Sequence, residues 1–180
     1  MVLDRGGQIS FFSMNNHQST IQGQSTINPT GREAINESRR IQMDLHPSIL
    51  EDLGIAPALA WFCRKFETTY RLKIEQEVAI KESEVPKSLR SVIYRISQEA
   101  FNNIAKHSQA KQARLSLQKN SSTIELIIQD NGQGFEMTID STKKGIGLSS
   151  MRERTVVSGG TFSIESAKGK GTLIRASWPL

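Results

Sequence analysis

The feature that most constrains this chain is a change of hydrophobic period near residue 69. Up to that point apolar residues recur at helical spacing. Beyond it, Tyr70, Leu72 and Ile74 alternate with Arg71, Lys73 and Glu75, the two-residue repeat of a half-buried strand. A helix is predicted from Val85-Pro86 to about His107, with Leu89, Val92, Ile93, Ile96, Ala100 and Ile104 along one stripe. Ala113, Leu115 and Leu117, then Ile124, Leu126 and Ile128, make two more strands joined at Asn120-Ser121-Ser122. A glycine-bearing loop covers residues 130–147 and a short helix residues 148–157. Two final strands, 161–165 and 172–178, flank the Lys168-Gly169-Lys170-Gly171 turn. This order predicts an α/β (α+β) two-layer sandwich, a mixed sheet with helices on one face, preceded by a helical segment.

A length of 180 residues allows one domain with a proper core and a small extra unit. One cysteine excludes a disulfide framework and a cysteine-based zinc site. No apolar run approaches the roughly 18 residues of a membrane span, and the N-terminus has no signal-like apolar region, so the expected setting is cytoplasmic. The net charge of +5 is spread along the chain, and aromatics are only 6%, so no basic stripe interleaved with aromatics points to nucleic acid.

Residues 1–31 read as a polar leader or linker, rich in Asn, Gln, Ser and Thr and without period. Residues 32–68 read as helical. A first helix over 32–45 ends at His46-Pro47-Ser48, and an amphipathic piece over 49–66 carries Leu50, Leu53, Ala58, Trp61, Phe62 and Phe66. Asp52-Leu53-Gly54 marks a bend within it. With no sheet partner in view, such a face suggests packing on another helix or another subunit, which leaves Trp61 and Phe62 exposed if no partner binds.

Four groups of residues carry possible chemistry. On the long helix, Asn103 falls at the edge of the apolar stripe, with Glu99 and Lys106 further round the same shoulder. Glu99 and Lys106 by themselves fit an exposed salt-bridged edge. A half-buried mid-helix Asn needs partners for its amide, and a hard cation such as Mg²⁺ is one. Asp130-Asn131-Gly132-Gln133-Gly134-Phe135 follows a strand. Asn-Gly is an everyday turn, yet two glycines spaced by one residue also let a flat ligand approach the backbone, and the Asp could accept from an exocyclic amine. Lys144-Gly145-Ile146-Gly147-Leu148 opens a helix whose free N–H groups suit a phosphate chain, although Gly-x-Gly alone also fits a flexible helix start. Gly169-Lys170-Gly171-Thr172 by itself is a hairpin turn.

In order and spacing, Glu99/Asn103, Asp130/Gly132/Gly134, Gly145/Gly147 and Gly171/Thr172 together resemble the N, G1 and G2 boxes of the histidine-kinase ATP-binding domain. That Bergerat-type fold is shared in outline with gyrase, the Hsp90 chaperones and MutL. Residues 98–107, Gln-Glu-Ala-Phe-Asn-Asn-Ile-Ala-Lys-His, look like the N box of the nitrate-sensor-like sensor kinases, and residues 45–55 are similar to that subfamily's stretch before its ATPase domain.

The resemblance implies ATP and Mg²⁺ as cofactors and a catalytic domain over residues 69–180. Asn103 would ligate Mg²⁺, and Glu99 beside it would polarise a metal-bound water or the attacking group. Lys106 and His107 would face the phosphates. Asp130 would accept from the adenine amine, with Gly132 and Gly134 near the base. Gly145 and Gly147, with Leu148, would hinge a lid over the triphosphate, and Gly171 and Thr172 would support the adenine end. The implied activity is transfer of the ATP γ-phosphate to a histidine, for relay to a response regulator.

The departure from the family pattern concerns the acceptor. The only candidate is His46, which precedes Pro47 at a place where the family usually has Arg, and too little chain follows it to return it to the ATP. The expectation is therefore a catalytic half with part of the dimerisation hairpin. Its partners would be the parent kinase's phosphoacceptor helix, a response regulator and a possible second copy, with any membrane contact through a sensor region outside this sequence. An ATP-dependent protein-binding switch without kinase activity is the alternative. A gyrase- or MutL-type ATPase, with Glu99 as general base, would normally add a transducer domain that this length excludes.

Overall fold

The structure, a computed structural model, describes residues 47–136 and 146–180. Helix α1, Pro47–Leu53, and helix α2, Ile55–Tyr70, lead into strand β1, Lys73–Ala79. A short 3₁₀ turn, Glu82–Glu84, precedes helix α3, Lys87–Asn103, whose end tightens into a single π-type turn, Ile104–Ser108. Strands β2, Gln112–Asn120, and β3, Thr123–Asp130, follow, then helix α4, Ile146–Val157, and strands β4, Thr161–Ser166, and β5, Thr172–Pro179.

The five strands form one mixed sheet in the order β1-β2-β3-β5-β4. β1 runs parallel to β2, and the remaining pairs are antiparallel. Register explains why only one face needs a helical layer. Leu115 pairs with Ile128, which pairs with Ile174, and Leu117, Leu126 and Ala176 make the next row; all are buried. The opposite face holds Glu77, Arg114, Glu125 and Arg175, tied by the Arg114–Glu77 ion pair at 2.6 Å and the Arg175–Glu125 pair at 3.3 Å. A sheet with one apolar and one charged face gives the two-layer sandwich that the alternating sequence predicts.

Two boundaries and one burial pattern differ from the sequence reading. Tyr70 ends α2 instead of opening a strand, because its ring lies on Phe66 one helical turn earlier, with centroids 4.3 Å apart. Arg71 then stops the helix in the left-handed region at φ 54°, its N–H donating to the Glu67 carbonyl at 2.8 Å. Second, Val85 and Pro86 lie outside α3, since a residue before proline favours extended backbone, and the α-helical part closes at Asn103. Third, α3 is buried over much more than a stripe: Tyr94, Ser97, Gln98 and Phe101 are inside as well, because α2 packs on one flank and α4 on another.

The apolar face of residues 49–66 packs on another helix, as its pattern suggests, and that helix is α3 of the same chain. Ile55, Ala58, Leu59, Phe62, Cys63 and Phe66 are all buried, with Phe62 edge-on to Tyr94 and Phe101 of α3. Trp61 is half-buried. Burial also pushes the Cys63 thiol up to about 12, with the neighbouring Glu67 adding to the effect, so this cysteine behaves as an apolar filler. The region assigned to residues 1–45 lies outside the described residues.

The α1–α2 junction is held by a carboxylate supplied from elsewhere in the chain. Gly54 occupies φ +89°, ψ −176°, where only glycine is at ease, and a Cβ there would strike the Glu82 carboxylate. That carboxylate accepts the Ile55 N–H at 2.9 Å, so Glu82 caps α2 in place of the side chain that glycine lacks. Arg90 on α3 secures it through an ion pair at 2.8 Å, and donates further to the Glu82 and Val85 carbonyls. Replacing Glu82 with Ala removes the cap and leaves Arg90 without its carboxylate. A loss of about 2 kcal/mol in unfolding free energy is expected from urea melts.

Candidate functional site

The site is built where β3 ends. Asp130 closes the strand with its side chain on the covered face, paired across the sheet with Ala113 on one side and Thr172 on the other. It is 5% exposed. Its Oδ1 accepts the Gly132 N–H at 2.7 Å, and the Thr172 hydroxyl and backbone N–H also donate to the carboxylate. Burial nevertheless outweighs these donors, and the Asp130 carboxyl sits above its ordinary range.

The loop after Asp130 is fastened at close range, which accounts for both glycines. A Cβ on Gly132 would run into the Ser108 carbonyl, and one on Gly134, at φ +56°, into the Ala167 carbonyl. The Gln133 N–H donates to the Ser108 carbonyl at 2.7 Å, its side-chain amide to the His107 carbonyl at 2.6 Å, and its own carbonyl accepts the Gly169 N–H at 2.6 Å. The π-type turn that carries Lys106 and His107 is thereby locked to the loop and to the β4–β5 turn. Asn131 anchors the other side, its Oδ1 accepting the N–H groups of Lys111 and Gln112.

On the opposite side, α4 brings its first turn against α3. A Cβ on Gly147 would strike the Glu99 carboxylate and come within 3.4 Å of the Asn103 side-chain nitrogen, so both polar side chains of α3 lie beside this glycine. Between α3, the loop and β5 lies a cavity of about 490 Å³. Of the residues singled out in the sequence, Asn103, His107, Gly134, Gly147, Leu148 and Thr172 line it. Asp130, Gly132 and Gly171 form the layer behind: Asp130 bonds to Thr172, and a Cβ on Gly171, at φ +73°, would meet the Asp130 carbonyl. Glu99 stands beside Gly147, whereas Lys106 is exposed and is not a lining residue. Gly145 and His46 lie outside the described residues.

Four lining residues carried no signal that the sequence reading used: Ser108, Gln133, Phe135 and Ile174. Ile174 was legible as an inward strand position, and Phe135 as the residue after the second glycine. Ser108 and Gln133 reach the wall only because α3 ends in a π-type turn, a local departure from helical period that also recurs at functional sites.

The donor set suits a nucleotide. The cavity's lining combines apolar Phe135, Leu148 and Ile174 with two polar groups, Thr172 backed by Asp130 and Asn103 beside Glu99. Among the described residues no group of three His, Cys, Asp or Glu side chains could hold a metal. That is compatible with Mg²⁺, which keeps waters and phosphate oxygens and asks little of the protein.

Comparison with known proteins agrees with this geometry. Residues 89–180 match the family described as histidine kinase-, DNA gyrase B- and HSP90-like ATPases. Those residues include Asn103, Asp130 and Thr172, and the chain belongs to this family. The oxygen sensor histidine kinase NreB of Staphylococcus carnosus is 31% identical over 146 residues, covering 81% of this chain and 42% of the relative. The sensor histidine kinase LiaS of Bacillus subtilis is 34% identical over 149 residues, covering 82% and 40%. This chain therefore spans less than half the length of these relatives. Among solved structures, the histidine kinase domain of the Erythrobacter litoralis blue-light activated kinase superposes with a TM-score of 0.63 at 19% identity, over 81% of this chain and 75% of that one. Acinetobacter baumannii histidine kinase AdeS gives 0.55 at 15% identity, over 83% and 80%. These likenesses show the fold.

The buried carboxylate makes a test by pH. Asp130 is harder to ionise when folded, so as pH rises the unfolded chain releases this proton first. The stability at stake is intact below the ordinary value of 3.8 and declines as pH rises above it, until the folded group has ionised too. Relative to Asp130→Asn, the intact chain should lose stability between a pH below 3.8 and neutrality, read from urea midpoints of both proteins.

Proposed function

We propose that this chain is the ATP-binding catalytic region of a two-component sensor histidine kinase. It transfers the γ-phosphate of ATP to a histidine outside residues 1–180, for relay to a response regulator. The observation that carries the reading is that one cavity brings together Thr172, bonded to the buried Asp130, and Asn103, beside Glu99 and Gly147.

The roles follow from the chemistry of each group. Ionised Asp130 accepts from the adenine amine, with Gly132 and Gly134 letting the base approach the backbone. Thr172, with Gly171, supports the same end. Asn103 offers an amide oxygen to Mg²⁺, which supplies charge neutralisation to the phosphates when bound. Glu99 polarises the attacking histidine nitrogen or a water beside it. His107 lines the phosphate side, Lys106, exposed on the same π-type turn, adds positive charge nearby, and Gly147 and Leu148 close the cavity beside Asn103. Transfer breaks the bond between the γ-phosphorus and the ADP oxygen as a bond to the histidine nitrogen forms. Little covalent work falls to the protein, and positioning and charge do the rest.

The acceptor would come from the parent kinase's phosphoacceptor helix, with residues 32–68 as the remnant of the dimerisation hairpin and a second copy as its partner. The region is cytoplasmic in this reading. Among the described residues no helix is long and apolar enough to cross a membrane, so an anchor would belong to other parts of the parent.

Calorimetry tests the nucleotide half. The intact chain should bind ATP with Mg²⁺ saturably. Asp130→Asn should weaken both ATP and ADP by at least about tenfold, since the amine loses its charged acceptor. Asn103→Ala should cost Mg²⁺-ATP more than Mg²⁺-free ADP. For transfer, γ-labelled ATP and a phosphoacceptor helix from a relative are added in trans. Acid-labile, alkali-stable label on that helix is expected. Tight ATP binding with no label on any supplied helix would favour the protein-binding switch.

A further inference from the structure

Ser166, the last residue of β4, sits where three parts of the cavity wall meet without lining the cavity itself. Its hydroxyl donates to the Gly171 carbonyl at 2.8 Å and accepts the Phe135 N–H at 3.0 Å. It also lies 3.2 Å from the Thr172 hydroxyl. Phe135 and Thr172 are both lining residues, and Thr172 donates to Asp130 through its hydroxyl and its backbone N–H. One half-buried side chain therefore braces an apolar wall and the polar end together.

We propose that Ser166 is a positioning residue that sets the purine selectivity of the pocket. The inference rests on the nucleotide reading above and deepens it. Holding the Gly171 carbonyl fixes the backbone at the start of β5, which keeps both Thr172 donors on Asp130. A carboxylate so occupied still has lone pairs for an incoming amine, as adenine presents, and repels the carbonyl oxygen that guanine presents in its place. Without Ser166, the Gly171 carbonyl and the Phe135 N–H lose their partner and the start of β5 is released. The Thr172 hydroxyl can then turn away from Asp130 and offer its proton to a purine carbonyl. Discrimination falls because an unfavourable pairing for guanine has been relieved.

The experiment is calorimetric titration of ATP and of GTP, each with Mg²⁺, into the intact chain, Ser166→Ala and Ser166→Thr, with thermal midpoints recorded alongside. The Ala variant should lose about tenfold in ATP affinity and less for GTP, so that the ratio of the two narrows several-fold. The Thr variant, which keeps a hydroxyl, should recover most of that ratio. Ser166→Cys, close in volume but a weaker donor and acceptor, carries the same test should the Ala variant not fold. An ATP-to-GTP ratio unchanged in Ser166→Ala or Ser166→Cys, even with lower affinities or a lower midpoint, would overturn the proposal and leave Ser166 as a structural hydroxyl. If the intact chain binds neither nucleotide, the pocket reading itself falls, and this inference with it.

Discussion

A carboxylate taken out of water at the end of a central strand is the constraint around which this molecule is arranged. Asp130 gains three donors, from Gly132 and Thr172, yet its burial still raises the energy of the charged form. Such a group must be held by neighbours fixed in place. The glycines beside it let backbone approach backbone at Ser108, Ala167 and Asp130 itself, closer than any side chain allows. The site is dense because a buried ionisable group is met there by two backbone N–H groups and one hydroxyl, all at close range.

Much of the fold was legible because its sheet alternates cleanly. Ala113, Leu115 and Leu117 face the helices while Arg114 and Gln118 face away, and every later strand repeats the pattern in register. Errors arose where tertiary contact outvoted local period. Tyr70 alternates with Leu72 and Ile74 as a strand residue would, but its ring is committed to Phe66 and the helix keeps it. Phe62 depends on distant sequence too, since nothing in its own segment covers it. The cover is Tyr94 and Phe101 of α3, from a part of the chain whose apolar stripe was read too narrowly.

The candidate site was legible in its residue types and less so in its layering. The glycines and the Asn103 amide stood out because their propensities are poor where they occur. The sequence could not separate residues that touch the cavity from those that stand behind it, since both carry the same motif signature. Gln133 shows the other limit. Between two glycines it reads as a spacer, whereas its amide ties the His107 carbonyl to the loop. That use depends on the π-type turn, which no periodicity announces.

Helix α3 joins two regions described separately. Arg90 in its first turn grips Glu82 under the α1–α2 junction, and Asn103 at its far end lines the cavity. At 1.5 Å per residue these points are about 20 Å apart along one continuous rod. Leu89, Ile93, Ile96 and Ala100 bury successive turns of it between those two points. The cap at the α1–α2 junction and the amide at the cavity are therefore both placed by one and the same helix.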